Sequence, residues 1–113
     1  MKLLIIDSDE YYHHQFKEKL PAEFELFFAK SLEQGRNLIS HTQPDLVVSE
    51  LLLEDGPSFG LLAEMSVTMP VVVFSKVDHV EDIQESLSLG VSGYFIKGRD
   101  SISDLCKQLL TIK

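Results

Sequence analysis

From end to end this chain alternates short, unbroken apolar runs with segments of helical period, and that rhythm admits few folds. Leu3-Leu4-Ile5-Ile6, Leu46-Val47-Val48-Ser49 and Val71-Val72-Val73-Phe74 are continuously hydrophobic, as strands are when both sheet faces are covered. Phe24 to Phe28 and Tyr94-Phe95-Ile96 supply two more strands. Asp9 or Ser8 caps a helix running to about Lys19, with Tyr12, Phe16 and Leu20 four apart, and Pro21 stops it. Ser31 caps a second helix carrying Leu32, Leu38 and Ile39, which Pro44 ends. The loop Leu51–Pro57 holds the turn signal Asp55-Gly56-Pro57 and leads to a short helix around residues 59–63.

Past Pro70 and the fourth strand, Val80, Ile83 and Leu87 share one helix face, and Gly90 takes the position of a left-handed cap. Ser101 with Asp104 resembles a capping box ahead of Ile102, Leu105, Cys106, Leu109 and Leu110, spaced i, i+3, i+4, i+7, i+8. Five strands alternating with five helices predict an α/β flavodoxin-like (βα)5 sandwich. Its doubly wound parallel sheet runs in the order 2-1-3-4-5. The whole of 1–113 reads as one domain, with no repeat or linker, and any effector domain is expected to lie outside it.

Eighteen acidic against ten basic side chains give a net charge of −8. Such a surface repels phosphate backbones and anionic lipid, so no direct nucleic-acid or membrane binding is expected. No apolar run reaches membrane-spanning length and no signal peptide is present, so the expected compartment is cytoplasmic. The single cysteine, Cys106, falls in a helical stripe and is expected to be a buried, reduced thiol.

Ligands of an open parallel sheet bind beyond the carboxyl ends of the strands, where the strand order reverses. The residues leaving the first and third strands are Asp7-Ser8 and Glu50, so carboxylates gather at the switch point. Neither G-x-G-x-x-G nor G-x-x-x-x-G-K-[ST] occurs, and Asp7-Ser8-Asp9-Glu10 presents negative charge where a phosphate loop needs donors. A nucleotide or flavin site is not expected. His13 and His14 are adjacent on the first helix, point apart, and read as exposed polar residues rather than metal ligands.

Four segments, in order and on the right elements, resemble the receiver domain of two-component response regulators. They are Lys2 to Glu10, Pro44 to Glu50, Ser75 at the end of the fourth strand, and Gly90 to Lys97. In intact members of that family an aspartate at position 50 takes a phosphoryl group from a phosphohistidine. A divalent metal, usually magnesium, is held there by that aspartate and an acidic pair. The resemblance implies that Lys97 steadies the phosphoryl charge, that Ser75 is the hydroxyl that bonds to it, and that Tyr94 is the aromatic that turns inward.

Three departures follow. Glu50 stands at the phosphoacceptor position, moving the carboxylate outward by on the order of 1.5 Å, and misplacement of about 1 Å costs roughly a hundredfold in rate. Ser8 replaces the second acid, leaving the degenerate pair Asp7 and Ser8; a shift making Asp7 and Asp9 the pair competes with Asp9's role as a helix cap. Gly98 follows Lys97 where the family has proline, which is expected to loosen that loop.

The sequence therefore reads as an atypical receiver that signals through protein–protein contact, independent of aspartate phosphorylation. It carries no catalytic residues and is not an enzyme. Glu50 is either a phosphomimetic group or a vestige; sequence leaves both open. No cofactor is expected, magnesium binding being weakened, with Asp7 and Glu50 the remaining weak metal candidates. The implied partners are a cognate kinase or effector, or a second copy meeting at the fourth helix, fifth strand and fifth helix. The competing reading is an active phosphoacceptor in a phosphorelay using a divalent metal.

Overall fold

A computed structural model describes residues 1–112. Its elements are β1 (Lys2–Ile6), α1 (Glu10–Lys19), β2 (Glu25–Ala29), α2 (Leu32–Thr42), β3 (Leu46–Ser49), β4 (Leu52–Leu53), β5 (Gly56–Pro57), α3 (Phe59–Ser66), β6 (Val71–Ser75), α4 (Val80–Ser88), β7 (Gly93–Ile96) and α5 (Ile102–Thr111). The five long strands pair in parallel in the order β2-β1-β3-β6-β7. Counted without the small hairpin, this is the expected 2-1-3-4-5.

Period-two alternation sorts the strand side chains into two cores. Leu3, Ile5, Val48, Val72 and Phe74 face α1 and α5, meeting Phe16, Leu20, Leu105, Cys106 and Leu109. Leu4, Ile6, Val47, Val71 and Val73 face the other way, onto Leu61, Leu62 and Met65 of α3 and the inner side of α2. Cys106 is buried as expected, and burial pushes its thiol up from the ordinary value. That disfavours the reactive thiolate.

Helix starts follow their capping residues. Asp9 accepts from the Tyr11 amide, Ser31 from the Gln34 amide and Ser101 from the Asp104 amide. Asp9 is thus committed to α1. Gly90 has φ of 99°, the left-handed cap the sequence signals. Helix α2 ends on Gln43, also left-handed at φ 50°, ahead of Pro44.

The structure departs from the sequence reading in three places. Helix α3 continues to Ser66, because Leu61, Leu62 and Met65 all find core contacts. Phe24 precedes β2 rather than opening it, and is buried beneath α5. The segment after Glu50 is a two-stranded antiparallel hairpin, Leu52–Leu53 on Gly56–Pro57, rather than an open loop. Two-residue strands carry no periodicity, so only their turn residues were visible in sequence.

Candidate functional site

The carboxyl ends of β1, β3, β6 and β7 converge at the sheet's switch point and deliver Asp7, Glu50, Ser75 and Lys97. All four are buried. Parallel pairing sets their depth: Ile6 lies opposite Ser49, so Asp7 and Glu50 leave β1 and β3 at one level. Ser49 pairs with Val73 and Val73 with Tyr94, so Lys97 leaves β7 two residues further along and its long side chain spans the difference. The amides of Asp7, Glu50 and Lys97 extend the ladder, donating to the carbonyls of Ala29, Ile6 and Ser75 at 2.8–2.9 Å.

The Lys97 ammonium donates to Asp7 Oδ2 at 2.6 Å and to Glu50 Oε1 at 2.9 Å. It lies 4.0 Å from the centre of the Tyr12 ring and 5.7 Å from that of Phe74, a geometry in which the ring faces add attraction for the cation. Burial alone would lower its pKa. The two carboxylates outweigh burial and hold it above the ordinary lysine value. For Asp7 the balance reverses: burial pushes its carboxyl up, against the downward pull of Lys97 and the Asp9 amide.

Every polar atom of Glu50 is engaged. Its amide donates to Ile6, and its carbonyl accepts from the hydroxyls of Ser49 and Ser58, each at 2.9 Å. Its Oε2 accepts from the Leu51 amide at 2.5 Å and the Leu52 amide at 3.3 Å. The longer side chain thus folds back onto its own loop. Ser8 bonds to neighbouring loops rather than to Lys97 or Glu50. Its hydroxyl donates to the Lys30 carbonyl at 2.7 Å and accepts from the Glu54 amide at 3.2 Å.

Magnesium, which the receiver resemblance implies, needs outward-facing anionic oxygens. Here Asp7 Oδ1 accepts from the Asp9 amide, Asp7 Oδ2 and Glu50 Oε1 hold Lys97, and Glu50 Oε2 holds its own loop amides. No group of three or more His, Cys, Asp or Glu suited to a metal occurs among the described residues. The residues as arranged do not fit the ion.

Ser75 and Tyr94 act on one loop residue rather than on Glu50. The Val77 amide donates to Ser75 Oγ at 3.2 Å, and the Val77 carbonyl accepts from the Tyr94 hydroxyl at 2.6 Å. Burial pushes the Tyr94 phenol above its ordinary pKa, so it remains a donor.

One expectation needs correction. His13 is buried, stacked on Phe28 at 4.9 Å, and its Nε2 donates to the Asp7 carbonyl at 2.7 Å; only His14 is exposed. The i, i+3, i+7 spacing of His13, Phe16 and Leu20 already placed it on the inner stripe. The turn after Lys97, where Gly98 stands, is closed by hydrogen bonds. The Ile96 amide donates to Asp100 Oδ2 at 2.7 Å, and the Ile96 carbonyl accepts from the Arg99 and Asp100 amides. Sequence reasoning also missed Tyr12 as the face beneath Lys97, along with the serines that pin Glu50; their signal was only that of packing residues.

No family model matches the chain. The nitrate/nitrite response regulator protein NarL of Escherichia coli K12 is 34% identical over 84 residues, 72% of this chain and 38% of that protein. The sensory transduction protein BceR of Bacillus subtilis 168 is 26% identical over 99 residues, 85% of this chain and 43% of BceR. The chain thus spans less than half the length of these curated relatives. A crystal structure of a two-component response regulator from Clostridium difficile superposes with a TM-score of 0.88 at 25% identity, covering 96% of this chain and 92% of that one. With the sheet order and the acid–lysine pocket already in place, these likenesses identify the chain as a receiver domain of the two-component response regulators.

Proposed function

We propose that this receiver works by protein contact, without a cycle of aspartate phosphorylation and without catalysis of its own. Glu50 serves as a fixed internal anion. The observation that carries this reading is the double pairing of Lys97 with Asp7 and Glu50 while the remaining Glu50 oxygen is bound by its own loop. A nucleophile must point an oxygen along the line of attack, and neither oxygen of Glu50 is free to do so. Ser75 is bonded to Val77, so Glu50 supports a phosphomimetic role only through Lys97.

For the contact surface we propose the face of α4, β7 and α5, where Val80 is 62% and Leu87 is 49% exposed. A cognate kinase, an effector or a second copy of the chain would dock there. The compartment we propose is the cytoplasm; no helix among the described residues is long and apolar enough to cross a membrane.

Incubation with acetyl phosphate and magnesium, read by intact mass, tests the reading. We expect no added phosphoryl group. An adduct on Glu50 or another side chain would instead favour an active phosphoacceptor. Glu50→Gln is expected to weaken partner binding; unchanged affinity would make Glu50 a vestige. Sedimentation velocity at rising concentration separates a self-pairing face from one reserved for another protein.

A further inference from the structure

The hairpin that follows Glu50 is tied down by side chains from elsewhere in the fold. Asp55, at its tip, reaches the first turn of α2: Oδ1 accepts from the Leu32 amide at 2.8 Å and Oδ2 from the Glu33 amide at 3.2 Å. Those amides lack intrahelical partners at the start of α2. Ser31 satisfies the Gln34 amide, so Asp55 completes the cap from a distant segment. At the hairpin's other shoulder, Ser8 bridges the Lys30 carbonyl and the Glu54 amide. Gly56 adopts φ of 133°, a conformation side chains rarely take, which turns the chain back beside Leu32.

We propose that Asp55 and Ser8 are positioning residues for Glu50. They staple the hairpin to the start of α2 and to the loop after β1, so that the Leu51 and Leu52 amides hold the Glu50 carboxylate on Lys97. The inference rests on the reading of Glu50 as a fixed anion and adds how it is fixed. In this arrangement Ser8 takes up a different task from the acid it replaces: it links two loops directly.

The test uses nuclear magnetic resonance on the full chain. Asp55 is exposed, so Asp55→Ala is expected to fold, and the double variant Ser8→Ala/Asp55→Ala gives the stronger perturbation. Amide exchange at Leu51 and Leu52 is expected to rise at least about tenfold in the double variant, with the Lys97 ammonium signal shifting while amides of β1 and β6 hold. Ser8→Thr and Asp55→Asn, which each keep an acceptor, are expected to restore much of the protection. Glu50→Gln is run in parallel. If Glu50→Gln moves the Lys97 signal and the double variant moves neither probe, the staple is wrong and the fixed anion survives. If Glu50→Gln leaves the Lys97 signal in place, the underlying reading fails with it.

Discussion

At the scale of single residues the pocket is an electrostatic balance with one cation and two anions, and its members respond to pH in different windows. The folded-state pKa of Lys97 is raised. Its stabilising contribution is therefore fully present below the ordinary lysine value and is lost as pH rises through the folded one. Lys97→Ala would leave two buried carboxylates facing each other, an expected loss of about 3 kcal/mol at neutral pH. That loss should shrink on acidification as Asp7, whose carboxyl burial already pushes up, takes up a proton, which urea unfolding at pH 7 and pH 5 checks. Asp7 also has a raised folded value, caused by burial. Its contribution is fully present below the ordinary aspartate value and declines as pH rises through the folded one. Asp7→Asn is thus expected to raise the urea midpoint at pH 7 and to lose that advantage near pH 3.

The elements show what the sequence made legible. Long strands and amphipathic helices were readable because continuous apolar runs and four-residue spacing each report burial directly. Glu50, Asp7 and Lys97 were readable as a group because parallel strands all present their carboxyl ends on one side of the sheet, with Asp7 and Glu50 at the same level. The bonding pattern inside the group was not. Whether a glutamate reaches outward or folds back onto Leu51 depends on loop amides whose directions no residue type encodes. The hairpin escaped for the same reason, though Asp55-Gly56 marked its turn. Asp55 has a depressed carboxyl, chiefly because it accepts from the Leu32 amide. Its contribution is present above the unfolded value and is lost as pH falls through the folded one. The Leu32 amide shift should therefore titrate with an acid midpoint below that of a free aspartate, and Asp55→Ala should abolish that titration. Gly90→Ala, at φ of 99°, is expected to cost about 1 kcal/mol or more, measurable as a lower urea midpoint.

The whole molecule places two cores on either side of one sheet, with the polar pocket at the carboxyl ends of its strands. Leu105 is fully buried against the β1 and β6 side. Leu105→Ala should cost on the order of 2–5 kcal/mol without moving the Lys97 ammonium signal, as calorimetry and resonance spectra together would show. The net charge of −8 acts at this scale too. Long-range attraction will speed encounter with a basic protein surface and weaken as salt rises, while duplex DNA should give no anisotropy change at physiological ionic strength.

Gly98 limits which residue can follow the pocket lysine. Its φ of 84° is out of reach for proline, whose ring fixes φ near −65°. The tight turn clasped by Asp100 is built around that left-handed geometry. Proline at position 98 would therefore break this turn.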